Sequence, residues 1–285
     1  MSAFSISINS DCSTDANFRA WITVITNIMA TAWVQTSDTG QINLLTVTHP
    51  LSIGNVQGYQ IWRMNDSLQS TTPCYLKLEY GASTSSSATY PGIWVSVGTG
   101  TDGAGNLTGS NGIRIGLSSS AGNTGGTIKG SIDINRVCMY VFYGNVNTQM
   151  LICVERTHNT SGSDTSTGIM CFLNSYVSNT TSFSCIPSVV TTSQAAWNFA
   201  MPASLTSNAW GTNIYTFPIR TWGQGETSPS NQLFVHYPSD ITALNLIPIT
   251  TWEGTTRTFL PVGSPYAALG YGTTVAQQAF AIRYE

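Results

Sequence analysis

Ionised side chains are scarce in this chain: Asp, Glu, Lys and Arg make up 8% of its 285 residues, against about 25% in an ordinary soluble domain. Lysine occurs only at Lys77 and Lys129, and the arginines are scattered. No basic patch is available to neutralise phosphates, which argues against a nucleic-acid partner. The acidic residues form no run, and the net charge is −3. No stretch reaches the roughly 18–20 consecutive apolar residues of a membrane-spanning helix. The opening Met1-Ser2-Ala3-Phe4-Ser5 lacks the basic and apolar regions of a secretory signal. The six cysteines, at 12, 74, 138, 153, 171 and 185, include no C-x-x-C pair, so a zinc site of ordinary spacing is not expected. Cys74, Cys138, Cys153 and Cys171 lie beside apolar strand residues, and free buried thiols acting as small hydrophobes are the expectation for them.

What replaces charge is Ser, Thr, Asn and Gly, together with 41% apolar and 11% aromatic residues. Disordered chains combine low hydrophobicity with high net charge, so this composition is one that folds. A chain of this length can bury its core as one large β domain or as two smaller units. Neutral, hydroxyl-rich surfaces keep a lone protein poorly soluble and suit one packed against other proteins.

The stretch Tyr75–Gly112 organises the reading. In Tyr75-Leu76-Lys77-Leu78-Glu79-Tyr80 the leucines alternate with charges, the period-2 pattern of a strand with one wet face. Ile93, Val95 and Val97 share one face of a second strand. Ahead of these, Phe4–Ile8 alternates as a short strand. Ser13 or Thr14 then offers an N-cap, with Asp15 placed for the helix dipole. Phe18, Trp21, Ile22, Ile25, Ile28, Met29, Ala32 and Trp33 form one apolar stripe at helical spacing. Its opposite face carries Thr and Asn rather than Lys and Arg, which favours a helix packed on a sheet over one lying on a membrane. Strands are expected at 42–47, stopped by Pro50, and at 58–64.

Four runs then resemble a family of tailed-bacteriophage virion structural, tail-associated proteins: the helix continued through Gln35–Ile42, then Gly58–Asp66 and Leu76–Gly81, closing with Ile93–Gly109. The likeness spans about residues 13–110. It lies in fold-forming residues, so it implies a place in a virion and no catalytic residue.

Further along, Gly98-Thr99-Gly100-Thr101-Asp102-Gly103 satisfies G-x-G-x-x-G after an apolar strand. A dinucleotide site also needs a helix to begin there, and residues 104–112 have no helical period. An extended loop using glycine's positive φ is the better reading. Residues 128–134, 137–143 and 150–156 read as paired strands, and Val137–Tyr143 is apolar on both faces, as expected beneath a second layer. Beyond residue 168 prolines and tryptophans recur, and strands there are expected to be short or at edges. The chain divides provisionally into 1–167 and 168–285, or forms one domain.

Chemistry-bearing residues are dispersed. His49, His158 and His236 are far apart, no G-x-S-x-G elbow exists, and Glu155, Asp164, Glu226, Asp240 and Glu253 sit in no motif that pairs carboxylates. The reading is a non-enzyme without cofactor or metal. Trp197, Trp210, Trp222 and Trp252 could stack on sugar rings, against the alternative that they fill the core.

The expectation is therefore a mainly β, antiparallel sandwich-like protein with one N-terminal amphipathic helix and an irregular Pro/Trp-rich C-terminal part. Its expected role is as a virion subunit of the tail tip, baseplate or fibre attachment, partnered by other virion proteins and copies of itself. A capsid decoration protein and an adhesin recognising cell-surface polysaccharide are the competing readings.

Overall fold

The computed structural model describes residues 1–9, 11–82, 90–109, 115–117, 126–142, 149–158, 164–175, 180–187, 198–200, 215–223, 226–237, 246–251, 254–262 and 279–285. For the strands between 164 and 237, Ser230 excepted, and for 115–117 the description is of the backbone.

The chain opens with β1 (Ser2–Ile8), α1 (Asp15–Ala30), β2 (Val34–Gln35) and β3 (Val56–Arg63). A 3-10 turn (Ser67–Ser70) leads to β4 (Tyr75–Ala82), β5 (Pro91–Gly98), β6 (Gly100–Thr101), β7 (Leu107–Thr108) and β8 (Ile115–Leu117). Then come β9 (Gly126–Asp133), β10 (Arg136–Phe142), β11 (Gln149–His158), β12 (Asp164–Ser175) and β13 (Thr180–Pro187). The remainder is β14 (Asn198–Ala200), β15 (Tyr215–Gly223), β16 (Glu226–Tyr237), β17 (Ile247–Thr250), β18 (Thr256–Val262) and β19 (Ala279–Arg283). The protein is thus mainly β, with its helix near the N-terminus.

Every ladder among the described residues is antiparallel. The first sheet runs β1-β9-β10-β11-β12-β13, and so draws on both sides of residue 167. The second runs β2-β3-β4-β5-β8, the third β14-β15-β16-β19-β18-β17, and β6 pairs with β7 alone.

Thr14 caps α1, its hydroxyl accepting from the Asn17 N–H at 3.2 Å. Phe18, Trp21, Ile22, Ile25, Ile28 and Met29 are the buried stripe. They share one core with Leu76, Leu78, Ile93, Val95 and Val97 of the second sheet and with Val137, Met139, Val141, Ile152 and Val154 of the first. Trp21 meets the Tyr80 ring edge-on, centroids 5.7 Å apart, a favoured geometry for an aromatic pair. The helix stops at Ala30, before Ala32 and Trp33, yet Trp33 stays in the core and its indole N–H donates to the Asp133 carbonyl at 3.0 Å. Buried Gln60 is satisfied as well: its amide donates to the Thr26 hydroxyl at 2.9 Å and its carbonyl accepts from Tyr80 Oη at 2.8 Å.

Val137, Cys138, Met139, Tyr140 and Val141 are all buried, so β10 has two covered faces, as its sequence predicts. The third sheet meets the second of these faces through Ser131, whose hydroxyl donates to the Arg283 carbonyl at 2.7 Å, and through the Ser230 hydroxyl, which donates to Glu155. Cys12, Cys74 and Cys138 are buried free thiols, and Cys153 is buried as well. Burial pushes the thiols of Cys12 and Cys74 up to about 12, which keeps them protonated and inert.

Two local expectations need correction. Residues 42–47 form a turn and not a strand. The Asn43 side chain accepts from the Leu45 N–H at 2.9 Å, while its carbonyl accepts from Thr46 and Val47 at 3.1 and 2.9 Å. A short polar side chain bonding its own backbone competes with a ladder and here prevails over the apolar alternation.

The C-terminal strands are also longer than their prolines suggest, β16 having 12 residues. The prolines nevertheless sit where a missing N–H costs little. Pro229 pairs with Arg220 in a part of β16 that β19 does not reach, since β19 pairs only with 233–236. Pro218 adjoins a register shift, and Pro248 lies in the edge strand β17.

Candidate interaction surface

In the loop between β2 and β3, residues 41–55 contain no Asp, Glu, Lys or Arg, yet they hold large apolar side chains in solvent. Leu45 and Leu51 are each 83% exposed and Ile53 51%. Exposed leucines are common enough singly; three on one loop, with that loop firmly held, are less ordinary.

Several contacts hold it. Val47 is buried in the core, and its carbonyl accepts from Arg19 Nε at 2.7 Å. Asp15, at the start of α1, accepts from both the His49 amide at 2.9 Å and the ring Nδ1 at 2.6 Å, and Arg19 Nη2 lies 3.6 Å from its other oxygen. Ile42 N–H donates to the Tyr59 carbonyl at 2.9 Å, and the Asn55 carbonyl accepts from Ala82 at the far end. Leu44 packs inward against the core, which leaves its neighbour Leu45 facing water. A shallow groove of about 310 Å³, lined mainly by Gln41, Asn43, Thr46, Thr48 and Gln57, follows the base of the loop.

His49 and Asp15 have the arrangement of a catalytic base with its orienting acid. Among the described hydrogen bonds, no hydroxyl or thiol engages the other ring nitrogen. The pair's observed action is to tie the loop to the helix. The His49 amide and ring bonds hold the Asp15 carboxyl below its ordinary 3.8, burial opposing them and the charges of His49 and Arg19 assisting. A carboxyl depressed in the fold adds stability that is complete above 3.8 and is lost as pH falls through the lower folded value. A carbon-13 titration of Asp15 should therefore show a midpoint below 3.8, and His49→Ala should move it back towards 3.8. The alanine keeps its backbone bond to Asp15, so an unmoved midpoint would show that the ring adds nothing to the tie.

Beside the loop, the glycine-rich segment closes as the β6–β7 hairpin and docks on residues 38–40. Thr39 N–H donates to the Gly103 carbonyl at 2.9 Å, and Gly105 N–H to Asp38 at 3.3 Å. Gly105 has φ +95°, and a Cβ there would lie 2.0 Å from Tyr59 Oη, so only glycine fits. Burial pushes the Asp38 carboxyl up, but hydrogen bonds from Thr36, Thr101 and Gly105 outweigh it and hold it below the usual range. Tyr59 donates to the Thr39 carbonyl and carries Lys77 4.6 Å above its ring centre. No helix follows the G-x-G-x-x-G run within the described residues, so the second half of a dinucleotide fingerprint is missing there.

Of the tryptophans considered for sugar stacking, Trp197, Trp210 and Trp252 lie outside the described residues. Trp222 stands in β15 opposite Asn198 and Thr227, with its backbone alone described. Trp21, Trp33, Trp62 and Trp94 are buried. Among the described residues no three His, Cys, Asp or Glu gather as a metal site, and no helix is long and apolar enough to cross a membrane. Leu45, Leu51 and Ile53 escape a reading by periodicity, because Leu44-Leu45 looks like strand. Asn43, Pro50 and Gly54 are the turn signals that mark the segment as a loop.

No protein-family model, curated protein or solved structure matches the chain.

Proposed function

We propose that this chain is a structural subunit of a tailed-phage virion, placed in the tail tip, baseplate or fibre-attachment region. It works by assembly with other virion proteins and with copies of itself. The observation that carries the assembly part is the anchored loop, free of Asp, Glu, Lys and Arg, that presents Leu45, Leu51 and Ile53. Covering a large aliphatic side chain is worth about 1.5–3 kcal/mol. No Asp, Glu, Lys or Arg in residues 41–55 has to be stripped of water when a partner arrives, and His49 is already paired with Asp15, so the desolvation penalty of an unpaired buried charge does not arise. The particle is suggested by the resemblance of residues 13–110 to phage tail-associated proteins.

Quantitative mass spectrometry of purified particles tests this. The chain should appear at a fixed copy number per particle and remain through a salt wash, as an uncharged interface requires. Absence from particles, or removal by salt alone, would refute it.

A further inference from the structure

Among the described residues six strands end the three large sheets, and four of them are short: β2 has 2 residues, β8 and β14 have 3, and β17 has 4 including Pro248. Shortness and proline are ordinary protections for a sheet edge, as are charge and bulges. β1 has none of them. It is 7 residues long, reads Ser-Ala-Phe-Ser-Ile-Ser-Ile, and pairs with β9 in unbroken register from Ser2↔Ile132 to Ile8↔Gly126. Alternate N–H and C=O groups of such a strand point away from its neighbour. Among the described residues no backbone group outside β9 bonds to β1. Phe4 and Ile6 are only partly buried, although they pack against the core.

We propose that β1 is a β-augmentation edge whose partner is β1 of a second copy of this chain, paired antiparallel about a two-fold axis through Ser5. The inference rests on the reading that the chain works by assembly. An isologous contact needs a self-complementary patch, and this segment is one. Centring on Ser5 uses all of Ser2–Ile8 and sets Phe4 opposite Ile6 twice, Ala3 opposite Ser7, and Ser5 opposite itself. The parity keeps Phe4, Ile6 and Ile8 on the core face, where Phe4 and Ile6 cover each other across the axis. No ionised side chain lies in β1, so self-pairing brings no like charges together. The first sheets of the two copies become one sheet. β13 is the other long edge, with 8 residues; joining β1 to the β13 of a neighbour would instead be heterologous and build rings or open chains.

The test is sedimentation velocity of the full chain as wild type, Ser5→Lys, Ser5→Glu and the equimolar mixture of the two variants. Ser5 is exposed and stands opposite Lys129 in the β1–β9 ladder, so both variants should keep the wild-type circular dichroism, with Ser5→Glu melting at or slightly above the wild type and Ser5→Lys slightly below it. The wild type should sediment as a dimer of the 30.5 kDa chain. Each variant alone should dimerise at least about tenfold more weakly, like charges being directly opposed, and the mixture should recover wild-type strength. If either variant unfolds, the register is read from Ala3→Glu/Ser7→Lys, which should dimerise, against Ala3→Lys/Ser7→Lys, which should not. A monomeric wild type, dimers indifferent to charge at Ser5, or larger oligomers with no rescue in the mixture would overturn the proposal. A monomer that is still found in particles would end the β1 pairing and leave the assembly function standing. A dimer absent from particles would do the reverse.

Discussion

Arg156→Ala should lower the folding free energy by about 3–5 kcal/mol, the usual cost of breaking a buried ion pair from one side. Arg156 is 1% exposed. Its Nε and Nη2 grip both oxygens of Asp66, the second at 2.7 Å, and its Nη1 donates to the Thr72 carbonyl at 2.7 Å. Removing the guanidinium strands a carboxylate and a carbonyl away from water. It also cuts a link between β11 of the first sheet and the turn ahead of β4 in the second, where Asn65 N–H to the Ile134 carbonyl at 2.8 Å is the neighbouring stitch. Domains are held by about 5–15 kcal/mol in total, so the loss is severe. Urea denaturation measures it. Arg156→Met combined with Asp66→Ala should recover much of the loss, because the stranded charge is then gone. A change under about 1 kcal/mol in the single variant would mean that the pair is solvated and not buried.

The double substitution Leu45→Asp/Leu51→Asp should act in the opposite manner, leaving folding within about 0.5 kcal/mol while cutting incorporation into particles by about a hundredfold or more. Both side chains are 83% exposed, so the free chain gains little from them. If each is an interface anchor worth about 2 kcal/mol, and each 1.4 kcal/mol is tenfold in affinity, the pair exceeds a hundredfold. Competition between wild-type and variant chains during assembly, read as their ratio in finished particles, measures it directly. Equal incorporation would remove the loop from the interface.

Elements whose residues carry their own periodicity were legible in the sequence. The alternation of Leu76 and Leu78 with Lys77 and Glu79 is the alternation of buried and half-exposed positions in β4. The two-sided apolar run at 137–141 is the strand covered on both faces, and the stripe from Phe18 to Met29 is the buried face of α1. Thr14 caps that helix as its position suggests.

What escaped is decided by contacts between distant residues. Arg156 and Asp66 are 90 residues apart and His49 and Asp15 are 34 apart. Nothing beside either member of a pair points to the other, and Asp15 looked sufficiently explained by the helix dipole. Leu45 escaped for a local reason, since the Asn43 turn turns an apparent strand outward. The docking of the glycine-rich hairpin was half legible. Positive φ was expected and is found at Gly103, Gly105 and Gly109, but Tyr59, the ring that Gly105 lies against, belongs to another strand.

Hydroxyl-radical labelling of Leu45, Leu51 and Ile53, compared between the free chain and the assembled particle, tests most directly whether companion proteins cover this chain. Labelling should fall at all three positions on assembly while buried Leu76 and Leu78 stay unlabelled in both states. Undiminished labelling in particles that contain the chain would contradict the account.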